Sequence, residues 1–226
     1  MPPTTPGDDV AYRTVRKAVA EIVTTGDVAA RPVPSCPEWT GRDLVGHLVD
    51  IACRVSARCG RPVEPGVVAG VGTVEDDLAV WETVGARLDP LIAGGGAEVM
   101  VMDAFTHELD LHRSAGTAPE RGHPAFATSL GVLVAGVGGE IRERGLPALR
   151  VRAGGSQWIA GDGEPAATVT GADYDVHRAF AGRRSLDQVR GLDWSTDPDA
   201  WLPAFRWKAF HPPARPVESA TPHWRL

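Results

Sequence analysis

The first half of the chain places apolar residues at helical spacing. In "DDVAYRTVRKAVAEIV" (residues 8–23), Ala11, Val15, Ala18, Val19, Ile22 and Val23 recur every three to four positions behind an acidic start, the pattern of a helix with one buried face. A second helix is predicted to open at Thr40, because Asp43 three residues on completes a capping-box signature. Leu44, His47, Leu48, Ile51 and Val55 then share a face, which puts a histidine on the apolar stripe. Thr73 and Asp76 repeat the signature ahead of a third helix with Leu78, Trp81, Val84, Leu88 and Leu91 on one side. A fourth is predicted from Glu98 to Ser114, and "PAFATSLGVLVAGVGGEIRERG" gives a fifth, weakened by its glycines.

Near Gly145 the period changes. "ALRVRAGG", "SQWIAG" and "AATVTG" are short, alternating or β-rich runs separated by Gly, Asp and Pro, and they predict an antiparallel meander. "ADYDVHRAFAGRR" reads as one more helix with Asp173 as its cap, and the chain from Pro212 on is proline-rich and expected to be extended. The fold class is therefore α+β: a helical domain over residues 1–145, then a small α+β domain over 146–226 with a short antiparallel sheet.

Composition narrows the function. With 226 residues, 43% of them hydrophobic, the chain can bury a sizeable core. A net charge of −6, scattered arginines and only two lysines, Lys17 and Lys208, give no electrostatic basis for binding nucleic acid. No apolar run approaches the roughly 20 residues of a membrane span, and the start "MPPTTPGDDV" lacks the features of a signal peptide, so a cytoplasmic location is expected. The three cysteines, Cys36, Cys53 and Cys59, suit reduced thiols better than a disulfide framework. A monomer and a homodimer are both compatible with this composition.

The densest chemistry lies in "DAFTHELDLH", residues 103–112. Residues four apart share a helix face, so Asp103 pairs with His107, and Glu108 with His112. The pairs are offset by five residues, which at ~100° per residue turns them roughly 140° apart. Asp103 and His107 share their side with Met100, Ala104 and Leu111, whereas the second pair adjoins Val101 and Phe105; the first pair is better placed for a bundle interior by a modest margin. With His47 it would form a three-ligand set of nitrogen and oxygen donors, suited to Zn²⁺ or another divalent ion with one position open. The competing reading of His47 is a hydrogen-bonded core histidine.

Two segments carry a resemblance. "RPVPSCPEWTGRDLVGHL" (31–48) and "DAFTHELDLHRSAG" (103–116) resemble the mycothiol-dependent maleylpyruvate isomerase family, within the DinB-like superfamily of metal-binding four-helix bundles. The family's Cys-Pro-x-Trp segment, running into Asp-Leu-x-x-His-Leu, is matched by Cys36, Pro37, Trp39, Asp43, Leu44, His47 and Leu48. Its Glu-x-x-x-His-x-x-Asp-Leu is matched by Asp103, His107, Asp110 and Leu111, with aspartate standing where the family has glutamate. The resemblance implies that His47, Asp103 and His107 hold the metal. It extends to "GADYDVHRAFAGRRS" and "GLDWSTDPDAWLPAF", which are similar to the family's C-terminal module, whose Gly-Arg segment supplies an arginine near the metal; that residue is Arg183, with Arg184 the adjacent candidate.

The implied activity is that of a metal-dependent enzyme activating mycothiol, a small thiol cofactor, for addition to an unsaturated, electrophilic small molecule, giving cis–trans isomerisation or S-transfer. The alternatives are a non-catalytic metal- or ligand-binding protein of the same fold, and a natural-product enzyme that uses metal-bound water or substrate without thiol. Of the remaining marked residues, Cys36 has no basic neighbour in sequence and reads as packing, Trp39 and Trp81 as core anchors, Asp110 as a residue that orients the helix end or a ligand, and Glu108 with His112 as a solvated or interdomain pair.

Overall fold

Four helices account for the first part of the molecule: α1 (Asp8–Val23), α2 (Gly41–Arg58), α3 (Val74–Ala93) and α4 (Glu98–Ala115). The structure is a computed structural model and describes residues 7–61 and 72–218. Around the bundle the helices follow the order α1, α3, α2, α4, each packing against its two neighbours. Both predicted capping boxes are present: Thr40 N–H donates to Asp43 Oδ2 at 2.8 Å, and Thr73 N–H to Asp76 Oδ2 at 2.7 Å. These bonds satisfy donors that a helix start otherwise leaves without partners. Helix α4 ends at Gly116, whose φ of 70° suits a residue with no Cβ.

The buried faces are close to the predicted ones, with three shifts. On α3 the stripe runs through Asp77, Trp81, Val84, Leu88 and Ile92, so it passes Leu91 by one position. On α2 it centres on Leu44, Val45, Leu48, Val49 and Ala52, which leaves His47 on its margin, half-buried rather than inside. On α4 every residue from Ala104 to His112 is buried, because the helix also packs against the segment between α1 and α2. At the α1–α3 contact Trp81 Nε1 donates to Tyr12 Oη at 2.9 Å, and burial pushes the Tyr12 phenol up to about 12.

The segment between α1 and α2 holds a short 3-10 turn (Val28–Ala30) and a small antiparallel pair, β1 (Pro32–Val33) with β2 (Cys36–Thr40), whose register is irregular beside Pro32 and Val33. The pair packs β1 on α4 and β2 on α2. It fixes Ser35, Cys36 and Trp39 directly ahead of the helix that carries His47.

The chain falls into two compact units, Met1–Thr128 and Ser129–Leu226. The change of periodicity near Gly145 marks where helix gives way to strand, whereas the division between units comes earlier, so most of α5 (Phe126–Glu143) belongs to the second. The glycines of α5 have contacts to explain them: a Cβ at Gly138 would lie 2.8 Å from the Gly161 nitrogen, and one at Gly136 would enter the Trp207 ring.

The second unit's sheet has the order β4 (Ser156–Ala160), β3 (Leu149–Ala153), β5 (Ala167–Thr170), β6 (Asp193–Trp194). The expected antiparallel meander is corrected here: β3 and β4 are antiparallel, but β5 pairs with β3 in parallel. The reason is topological. Strand β4 reverses the chain, so the link at residues 161–166 needs only to pass the end of β3 to bring β5 alongside it in the same direction. Helix α6 spans Asp173–Phe180 with Ala172 at the cap position, so Asp173 is its first helical residue rather than its cap. A further short helix, α7 (Leu186–Arg190), starts at a Ser185/Gln188 capping box. The described part of the proline-rich tail is irregular, and Glu218 is buried within it, ion-paired with Arg178; residues 219–226 lie outside the described residues.

Candidate metal centre

His47 comes from α2, two turns beyond its cap, while Asp103 and His107 come from consecutive turns of α4. The structure brings them together: His47 Nε2 lies 3.5 Å from Asp103 Oδ2, and His107 Nε2 3.8 Å from Asp103 Oδ1. These separations exceed a good hydrogen bond. Two donors sharing a tetrahedral ion with bonds of ~2.0–2.1 Å sit roughly 3.4 Å apart, so the spacing fits a cation between the groups. One carboxylate thus faces both imidazoles.

His107 is oriented from behind. Its Nδ1 is 3.0 Å from Asp110 Oδ2, and Ser35 Oγ donates to Asp110 Oδ1 at 2.6 Å. A carboxylate on Nδ1 favours the tautomer whose proton is there, leaving Nε2 as the lone-pair donor on the Asp103 side. Asp110 therefore orients the ring. Trp39 is not a core anchor. It is half-buried, with its ring 5.0 Å from that of His47 and 6.0 Å from that of His107, so it walls the centre; Trp81 is the core anchor expected.

Among the described residues two sets place three ligand atoms within 4.8 Å of one another: His47, Asp103 and His107, and a second set of Cys36, His107 and Asp110. The second was missed in the sequence, where Cys36 read as packing. Its only signal was that two motifs some seventy residues apart had to meet.

Glu108 and His112, expected to be solvated or interdomain, are buried inside the first unit with His123. His112 Nε2 is 3.5 Å from Glu108 Oε1, and His123 Nε2 is 3.4 Å from Oε2. Ala125 N–H donates to His123 Nδ1 at 3.2 Å, which puts the neutral ring's proton on Nε2, and His123 stacks on Phe105 at 4.6 Å. Burial pushes the Glu108 carboxyl up to about 9. Burial, with His123 nearby, brings His112 down to about 4, and burial alone does the same to His123. This is a neutral acid between two neutral imidazoles, turned away from the first pair as the helical offset requires.

In the second unit Arg184 is buried, its guanidinium 2.8 Å from Asp175 Oδ1 and 3.4 Å from Glu218 Oε2. Arg183 is half-buried; its Nη1 donates to the Ala181 carbonyl at 2.9 Å and its guanidinium lies 6.0 Å from the Phe210 ring centre. Arg184 is thus committed to internal carboxylates.

A helical bundle with a histidine–carboxylate–histidine cluster at one hairpin defines the class of the first unit. Residues 11–70 match the family model of the mycothiol maleylpyruvate isomerase N-terminal domain, so this part of the chain is similar to that family. The match takes in Cys36, Trp39 and His47 and ends before Asp103. No curated protein and no solved structure matches the chain. No helix among the described residues is long and apolar enough to cross a membrane.

Proposed function

We propose that this protein is a metal-dependent enzyme that activates a small thiol, by family mycothiol, for addition to an unsaturated electrophilic small molecule, with cis–trans isomerisation or S-transfer as the outcome. The observation that supports it most is the approach of His47, Asp103 and His107 at ligand-to-ligand spacing in a chain whose residues 11–70 match the model of a mycothiol-related isomerase domain. These three residues would hold a divalent ion, Zn²⁺ by donor set. An ion bound there would supply a lowered pKa to a thiol that meets it; addition of that thiolate to a conjugated double bond would leave a single bond free to rotate, and elimination would return the thiolate and the trans alkene.

The chain's own groups have separate tasks. Asp110 keeps the His107 proton on Nδ1, and Ser35 keeps Asp110 in place. Trp39 limits water at the two imidazoles. Arg183 is assigned, on resemblance, to the substrate's carboxylate through its paired N–H fork. The test is turnover of an unsaturated dicarboxylate and a panel of electrophiles with metal and thiol added singly and together. The reading expects activity only with both. Full rate without thiol would point to metal-bound water or substrate as the reactive group, and bound metal with neither an isomerised product nor a thioether product would make this a binding protein.

A further inference from the structure

We propose that Cys36, His107 and Asp110 form a second position, for a thiophilic divalent cation, that shares the His107 imidazole with the first. It goes beyond the function proposed above and shares one residue with it. Three observations support it. One ligand atom from each residue lies within 4.8 Å of the others, the same closeness that defines the His47 set. The donors are sulfur, nitrogen and oxygen, a combination that takes Zn²⁺, Co²⁺ or Cd²⁺ and discriminates against Mg²⁺ and Ca²⁺. All three are held by rigid elements: Cys36 begins β2 and pairs with Val33, while His107 and Asp110 lie one turn apart on α4.

The imidazole makes the sharing possible because its two nitrogens face different carboxylates. Nδ1 lies 3.0 Å from Asp110 Oδ2, and Nε2 3.8 Å from Asp103 Oδ1. Asp110 is fully buried and Cys36 half-buried, so the position is closed on the carboxylate side and reachable from the thiol side. Filling it would release the Cys36 thiol proton and the His107 Nδ1 proton. It would also take Nδ1 from Asp110, the contact that orients Nε2. Excess thiophilic metal is therefore expected to inhibit, and Cys36→Ser to relieve that inhibition.

Cobalt titration of the full-length protein tests this, read as ions bound per chain and as thiolate-to-cobalt charge-transfer absorption in the near ultraviolet. The wild type is expected to bind two equivalents, with the band present. Cys36→Ser, a one-atom change, should lose the band and keep one equivalent, whereas Cys53→Ser and Cys59→Ser should keep both. His47→Ala should keep the band and lose the other equivalent. No band at saturating cobalt, or a band that survives Cys36→Ser, overturns the second position. A single equivalent whose band survives His47→Ala would uphold the Cys36 position and remove the His47 one, so the two readings fail separately.

Discussion

His107 Nδ1 lies 3.0 Å from Asp110 Oδ2, and that contact decides which face of the imidazole is offered to Asp103 and His47. Asp110→Asn keeps the shape but can present N–H to the ring and stabilise the wrong tautomer. Losing such an orienting partner typically costs ~10–100-fold in metal affinity. Competition with a chelating dye should show a drop of that order for Asp110→Asn, with Ser35→Ala smaller in the same direction. Unchanged affinity in Asp110→Asn would deny the residue its orienting role.

The Glu108, His112 and His123 cluster ties stability to pH in two windows. The histidines, lowered from 6.5 to about 4, bind fewer protons folded than unfolded. Their contribution is complete above about 6.5 and is lost as pH falls toward 4, by at most ~3 kcal/mol each. Glu108 has the opposite sign. Its folded value, raised from 4.5 to about 9, means the folded state keeps a proton that the unfolded chain gives up, so stability falls as pH rises between those values. Urea unfolding should find Glu108→Gln more stable than wild type at pH 8 and nearly equal to it at pH 4. The reverse order would mean that Glu108 is ionised and paired.

Arg183 and Arg184 are neighbours with different expectations. Arg184→Ala strips a buried cation from Asp175 and Glu218 and should destabilise by about 3–5 kcal/mol. Arg183→Ala, at a half-buried position bonded to the Ala181 carbonyl, should cost less stability than Arg184→Ala, leave metal content unchanged and raise KM for a carboxylate substrate. Equal melting losses in both variants would contradict the distinction.

Tyr12→Phe leaves the buried Trp81 indole N–H without its acceptor, and a loss of ~1–3 kcal/mol is expected.

Much of the bundle was legible because its signals are local. Thr40 with Asp43 and Thr73 with Asp76 announce helix starts, and Leu44, Leu48, Trp81 and Leu88 announce buried faces, within a few residues of chain. The pairing of Asp103 with His107 followed from helical geometry in the same way. What escaped depends on distant packing. The burial of Glu108 and His112 needs His123 and the chain around α4, Trp39 becomes a wall only when β2 meets α2, and the parallel pairing of β3 with β5 follows from the path of the link after β4. Cys36 joined Asp110 by the same kind of long-range meeting, which no periodicity records.

Whether His47, Asp103 and His107 hold one divalent ion is decided by metal analysis in a Cys36→Ser background, where the proposed second position is removed. Cys36→Ser should carry one equivalent of zinc, none when His47→Ala, Asp103→Ala or His107→Ala is added, and one when Glu108→Gln or His112→Gln is added instead. Zinc retained without His47 or Asp103, or lost with Glu108→Gln, would contradict it.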